Sequence, residues 1–176
     1  MRKDLLSLGF VILLIVILFS GTKIQSVDEY YLTHIDEITE DSETITISIS
    51  VETILNNMDQ LKPELKKYVP EDGVILEETE YVLRPGDTVF DILKRTVQHN
   101  RIQMEYQGAN MNVYKSAYIQ GINYIYEFSC GPLSGWMYSV NGVFPNYGVS
   151  KYELKDGDKI EFLYTCDLGR DLGYEF

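Results

Sequence analysis

Cysteine and histidine are scarce: Cys130 and Cys166, His34 and His99 are all that the 176 residues contain. No histidine lies near either cysteine in sequence and no ligand pair falls at zinc-binding spacing, so neither a zinc site nor a catalytic thiol with its base is indicated. No serine stands in a nucleophile-elbow setting, and no glycine-rich loop has the form that cradles phosphate. No enzymatic activity is expected. Basic residues are also few, 15 against 27 acidic ones for a net charge of −12, and they form no cluster. Nucleic acid and anionic lipid surfaces are therefore excluded as partners, because both are held by grouped cations that neutralise phosphate. Between Ile24 and Glu43 there is no Lys or Arg at all, while acids recur from Asp28 to Glu43. Residues 23–43 are read as an acidic linker, solvated and self-repelling.

The one long apolar run, Leu5 to Phe19, follows Arg2 and Lys3, the layout of a secretory signal or an N-terminal membrane anchor. As a helix, Leu5 to Thr22 would span roughly 27 Å, close to a hydrocarbon core of about 30 Å. Candidate cuts near Ser20 and Gly21 put Leu18 or Phe19 where signal peptidase wants a small residue, so residues 1–22 are expected to stay as an anchor. The basic flank before the span places the rest of the chain outside the cell, or secreted if the segment is cleaved.

The folded domain is expected over 44–176, with its core at about 78–168. Ile45, Ile47, Ile49 and Val51 alternate with polar residues as in a strand with one buried face. Ile54, Met58, Leu61, Leu65 and Tyr68 recur at helical steps that Pro63 should split. Short strands are expected at Val74–Leu76 and Glu80–Leu83. Thr88, with Asp91 three residues on, opens the main helix, whose buried stripe is Val89, Ile92, Leu93 and Val97; His99 falls on its wet side. Tyr118 to Phe128, broken by Gly121, reads as two short strands or one bulged strand. Trp136, Tyr138 and Val140 share one strand face that ends in the tight turn Asn141-Gly142, and Ile160, Phe162 and Tyr164 share another.

Outside the cell the two cysteines are expected to pair, since Cys130 is in phase with Phe128 and Cys166 with Tyr164 at the ends of core strands. On the chain-entropy account the closed loop contributes roughly 4 kcal/mol. A metal-binding or catalytic thiol is the rival reading. Asp156, Asp158, Asp167 and Asp171 match no calcium loop and are read as turn formers.

The order of a strand, a Gly-Asp turn, a helix, further strands and a Val-Asn-Gly turn is similar to the β-grasp order of small sulfur-carrier proteins, and the fold class expected is α+β, a β-grasp-like mixed sheet with one main helix behind an N-terminal transmembrane or signal helix. Those carriers end in Gly-Gly, whereas Gly173-Tyr-Glu-Phe176 stands here, so a carrier role is not expected. Pro85-Gly-Asp-Thr-Val-Phe-Asp91, Ser134-Gly-Trp-Met-Tyr-Ser-Val-Asn-Gly142, Tyr147-Gly148, Tyr152 and Leu154-Lys-Asp-Gly-Asp-Lys-Ile160 together resemble an uncharacterised bacterial family of surface domains related to the C-terminal domain of transcobalamin and gastric intrinsic factor. In those vitamin carriers the domain closes as a lid over cobalamin against a larger helical domain, for which no counterpart is expected within these residues.

The resemblance implies a non-catalytic, extracytoplasmic ligand-binding module, for cobalamin, another corrinoid or a different flat cofactor, completed by a second surface protein and requiring no cofactor of its own. Trp136, Tyr138, Phe144 and Tyr147 are candidates for a stacking platform, with the amides of Asn141 and Asn146 at its rim. Trp136 and Tyr138 are equally candidates for core packing, and Phe144 to Tyr147, in a connection, for an exposed surface. The alternative is a cell-envelope interaction or structural domain with no small-molecule ligand, using the same aromatic residues and the tyrosines of the C-terminal half on protein or glycan.

Overall fold

The structure is a computed structural model that describes residues 34–174, together with Ile12 and Tyr30. The chain divides into two compact units, residues 1–30 and residues 31–176, and both sheets belong to the second. The expected anchor at 5–22 and most of the linker lie outside the described residues. Among those described, no helix is long and apolar enough to cross a membrane.

The second unit is mixed α+β. Strands β1 (Thr44–Ser50), β2 (Val74–Val82), β6 (Gly135–Val140) and β7 (Lys159–Thr165) form one sheet in the order β2-β1-β7-β6, and β3 (Met104–Gln107), β4 (Tyr118–Ile122) and β5 (Ile125–Tyr126) form the other. The central pair β1–β7 is parallel and its flanking pairs are antiparallel. Alternation drives the pairing. Ile45, Ile47 and Ile49 of β1 and Ile160 and Phe162 of β7 are buried on one face against helix α2 (Val89–His99), which contributes Val89, Ile92, Leu93 and Val97. Val51, Ile54, Leu61, Ile125, Tyr164 and both cysteines make a second cluster.

Local chemistry sets the boundaries. Thr88 and Asp91 form the expected reciprocal capping box: Asp91 N donates to the Thr88 hydroxyl, and Thr88 N donates at 2.9 Å to the Asp91 carboxylate. Two short sequences that echo each other, Leu83 to Asp87 and Leu154 to Asp158, adopt the same turn. In each, a glycine takes the left-handed backbone, and the aspartate accepts the N–H three residues back at 2.8 Å, from Arg84 or from Lys155.

The helical pattern from Ile54 to Tyr68 is in two short pieces, as expected, a four-residue α1 (Glu52–Leu55) and a 3-10 stretch that opens at Pro63 (Pro63–Tyr68), and two other expectations are corrected. The Asn57 side chain ends α1 by donating to Thr53 O at 2.8 Å, and Lys62 N is drawn instead to Ser129 O at 3.1 Å. The two strands expected at 74–76 and 80–83 are one nine-residue strand, because register shifts opposite Ile47 to Ser50 absorb the residues that break the alternation. His99, expected on the wet side of its helix, has its Nδ1 buried without a partner and lines a cavity of about 20 Å³ that His34, Tyr81 and Arg95 share.

The linker also reaches the domain. Asp36 holds the Arg84 guanidinium through Nε at 2.9 Å and Nη2 at 3.0 Å, and Glu43 O accepts Leu83 N at 2.8 Å.

Candidate functional site: a cleft on the free edge of β6

Pairing register fixes which backbone groups β6 leaves open. Asn141 N donates to Lys159 O at 2.8 Å, so alternate residues back along β6 face β7, and the N–H and C=O of Trp136 and Tyr138 point the other way. Each end of that outer edge is closed. Ser134 O accepts Phe128 N at 2.9 Å, and Val140 exchanges both backbone bonds with Val143 across the Asn141-Gly142 turn, at 2.9 and 3.0 Å. In the window between, the four groups of Trp136 and Tyr138 have no partner among the described residues.

Two adjoining clefts border this window. The larger, about 310 Å³, is lined by Tyr118, Glu127, Phe128, Leu133 and Leu168 together with Gly135 to Met137 of β6. The smaller, about 130 Å³, shares Tyr118, Trp136 and Met137 and continues to Tyr138, Gly148, Val149 and Phe162. Trp136 is held rigidly: its Nε1 donates to Ile125 O at 2.8 Å and its ring meets Tyr164 edge-on at 5.3 Å. Tyr138 stacks on Phe162 at 6.1 Å and donates its hydroxyl to Tyr147 O at 2.6 Å. The Tyr118 hydroxyl donates to the Glu127 carboxylate, and partial burial, followed by that carboxylate, pushes its pKa up.

The rims are backbone outliers. Phe128 and Leu168 take φ of 60° and 51°, the left-handed region, yet are 58% and 44% exposed. A large apolar side chain gains little burial there and carries the steric cost that glycine avoids.

Residues 86–165 match DUF4430, a domain of unknown function. A solved structure that matches is described as "a putative metal binding protein" from Ruminococcus gnavus ATCC 29149; the likeness has a TM-score of 0.42 at 11% identity and covers 70% of this chain and 96% of that one. No curated protein matches.

The segment that matches DUF4430 holds every residue of the sequence-predicted platform, but the structure does not assemble them as one surface. Trp136 and Tyr138 line the clefts and are also partly packed against the core. Asn141 is occupied within the fold, its Nδ2 donating to Asp158 at 2.8 Å and its Oδ1 accepting Lys159 N at 2.9 Å. Phe144 turns to Tyr174, ring centroids 5.5 Å apart, while Tyr147 lies over Tyr152 at 5.5 Å and 14° and remains exposed, as does Asn146. Tyr118, Glu127, Phe128, Leu133 and Leu168 are cleft residues outside that platform, and no local sequence pattern singles them out.

The acidic turn residues are engaged as caps. Asp156 accepts Thr44 N at 2.8 Å, Asp171 accepts Cys166 N at 2.7 Å, and Asp167 pairs with Arg170 at 2.7 Å. Among the described residues no cluster of three metal-ligating side chains forms.

Both cysteines are buried free thiols in one core cluster, so the expected bridge is not formed in this structure. Cys130 Sγ lies 3.4 Å from Asn57 O, Cys166 Sγ 3.8 Å from Thr53 Oγ1, and each thiol is a hydrogen-bond neighbour of the other. Burial raises Cys130 and lifts Cys166 and Tyr164 each to about 12. Raised acids of this kind hold their protons more tightly folded than unfolded. The stability they carry is therefore complete below the ordinary thiol and phenol values, about 8.5 and 10, and is lost as pH climbs toward 12. Alkaline titration followed by circular dichroism is expected to show loss of stability from about pH 9, and Cys166→Ala to make that loss shallower without moving its onset, because Cys130 remains. An unchanged melting temperature up to pH 12 would contradict this assignment.

Proposed function

We propose that residues 31–176 form a non-catalytic, extracytoplasmic binding module that takes its ligand in the cleft on the free edge of β6. One observation carries the reading: a rigid indole and four unpartnered backbone groups border an open, mainly apolar cleft, the composition of a recognition site. The order β2-β1-β7-β6 with its parallel central pair, together with α2, supports a β-grasp-like core. Residues 5–22 would anchor the module in the membrane.

The transcobalamin resemblance points to a corrinoid or another flat cofactor. At about 310 Å³ the cleft is at the lower end of sites that enclose a drug-sized molecule, so a corrinoid would rest against Trp136 and Tyr118 and need a second surface protein to cover it. Equilibrium dialysis of the full chain with cobalamin is expected to give saturable binding that Tyr118→Ala weakens about tenfold, as loss of one stacking contact requires. No uptake at millimolar cobalamin, with or without neighbouring surface proteins, would exclude the corrinoid version. The second reading, an envelope protein-interaction domain, is favoured by the unpaired backbone groups themselves.

A further inference from the structure

The sheet has two outer strands, and they are built differently. β2 carries Glu77, Glu78 and Glu80 and register shifts along its length, devices that stop another strand from adding to an exposed edge. β6, Gly-Trp-Met-Tyr-Ser-Val, has no charge, no proline and no shift in its register with β7. Its only protection is at the ends, where Phe128 N and Val143 close the edge and leave the window at Trp136 and Tyr138. Two residues with outward N–H and C=O groups are what one short extended segment satisfies, with four bonds in strand register.

The surroundings define that segment. Side chains alternate along a strand, so side chains of one parity on the added backbone face the two adjoining clefts, the larger lined by Leu133 and Leu168 and the smaller by Tyr138. Phe128 and Leu168 keep exposed apolar groups at left-handed positions, a cost that packing within the chain does not explain and an apolar occupant of the cleft does. Glu127 contributes the one charge among the lining residues. In a chain of net charge −12 it disfavours a second copy, whose Glu127 would approach its own, and favours a cation.

We infer that the cleft's occupant is an extended segment of a different polypeptide, apolar at alternate positions and carrying a Lys or Arg, which adds to β6 as a fifth strand. This deepens the binding-module reading and rests on it.

The test is selection of the full chain against a random heptapeptide library, with the enriched peptides remade with blocked ends and titrated. Expected are sequences with alternating apolar residues and a basic one, bound about tenfold more weakly when every second backbone amide is N-methylated and little changed when the intervening ones are. Glu127→Gln is expected to weaken basic peptides several-fold and to reduce the salt dependence of binding. Phe128→Gly is expected to raise Tm, by relieving the left-handed strain, while lowering peptide affinity; a packing role predicts the opposite sign for Tm. No enrichment above a blank surface, or N-methylation without a two-residue period, overturns the inference. So does concentration-dependent dimerisation in sedimentation that blocks the cleft, since the second copy would then be the occupant. If peptides fail but cobalamin binds and Tyr118→Ala weakens it, the peptide inference alone falls. If neither ligand binds, the module reading falls with it.

Discussion

Arg95→Ala is expected to destabilise the domain by roughly 3–5 kcal/mol, the range found when one partner of a buried ion pair is removed. Arg95 and Asp87 meet at 2.6 Å with side chains only 12% and 11% exposed. The pair is more than a Coulombic contact. The Asp87 carboxylate also accepts Arg84 N at 2.8 Å, Arg95 Nη2 also donates to Val82 O at 3.0 Å, and Asp87 O takes Leu154 N at 3.0 Å. One aspartate thus ties together the end of β2, the helix α2 and the turn before β7. Removing the guanidinium leaves a shielded carboxylate with two of its three donors gone, whereas Asp87→Ala opens the turn as well. Urea unfolding of both single variants and the double variant separates these effects. The double variant should lie well short of the sum of the singles, because the second change removes a charge the first left unpaired. A single-variant cost below about 1 kcal/mol would instead give the pair the weight of an exposed salt bridge.

What could be read from the sequence is what neighbouring residues decide. The alternation of Ile45, Ile47 and Ile49, the Thr88–Asp91 cap and the Asn141-Gly142 reversal need no distant partner, and each is present. Where distant partners intervene, the pattern misleads. Ile54 to Tyr68 has helical spacing, but α1 stops at Leu55 and the distant Ser129 O claims Lys62 N at 3.1 Å. The site suffers most from this. That β6 is an outer strand follows from a sheet order no local window contains, and Tyr118, Glu127, Phe128 and Leu168 meet only because the β4–β5 hairpin and the end of β7 converge on it. The nearest signal was the tyrosine-rich run to Phe128, readable as strand or interface alike. Phe144, in a connection where exposure was the natural expectation, instead finds Tyr174 beyond the last strand.

Gly148 is the position where the smallest substitution should have one of the largest effects. Its backbone is not left-handed, so conformational freedom is not why glycine stands there. A Cβ built on it would lie 2.1 Å from Ser116 Oγ and 2.3 Å from Ser116 Cβ. Ser116 cannot simply give way, being buried and bound to Ser150 through hydroxyls 2.9 Å apart, with Ser150 N donating back to it at 3.3 Å and Ala117 N donating to the Ser150 hydroxyl at 2.9 Å. Gly148→Ala therefore has to break this exchange or push the two segments apart. Overpacking of about 1–3 kcal/mol and an unsatisfied buried polar group of similar size are both incurred, for an expected total of roughly 3–5 kcal/mol in urea unfolding. Ala117, Gly148 and Val149 also line the smaller cleft, so ligand binding should weaken together with stability. Ser116→Gly in the same chain removes the colliding atoms and should recover part of the loss, though not the hydroxyl bonds. Full tolerance of Gly148→Ala would mean that the two segments are not packed as closely as described, and recovery without Ser116→Gly would locate the strain elsewhere.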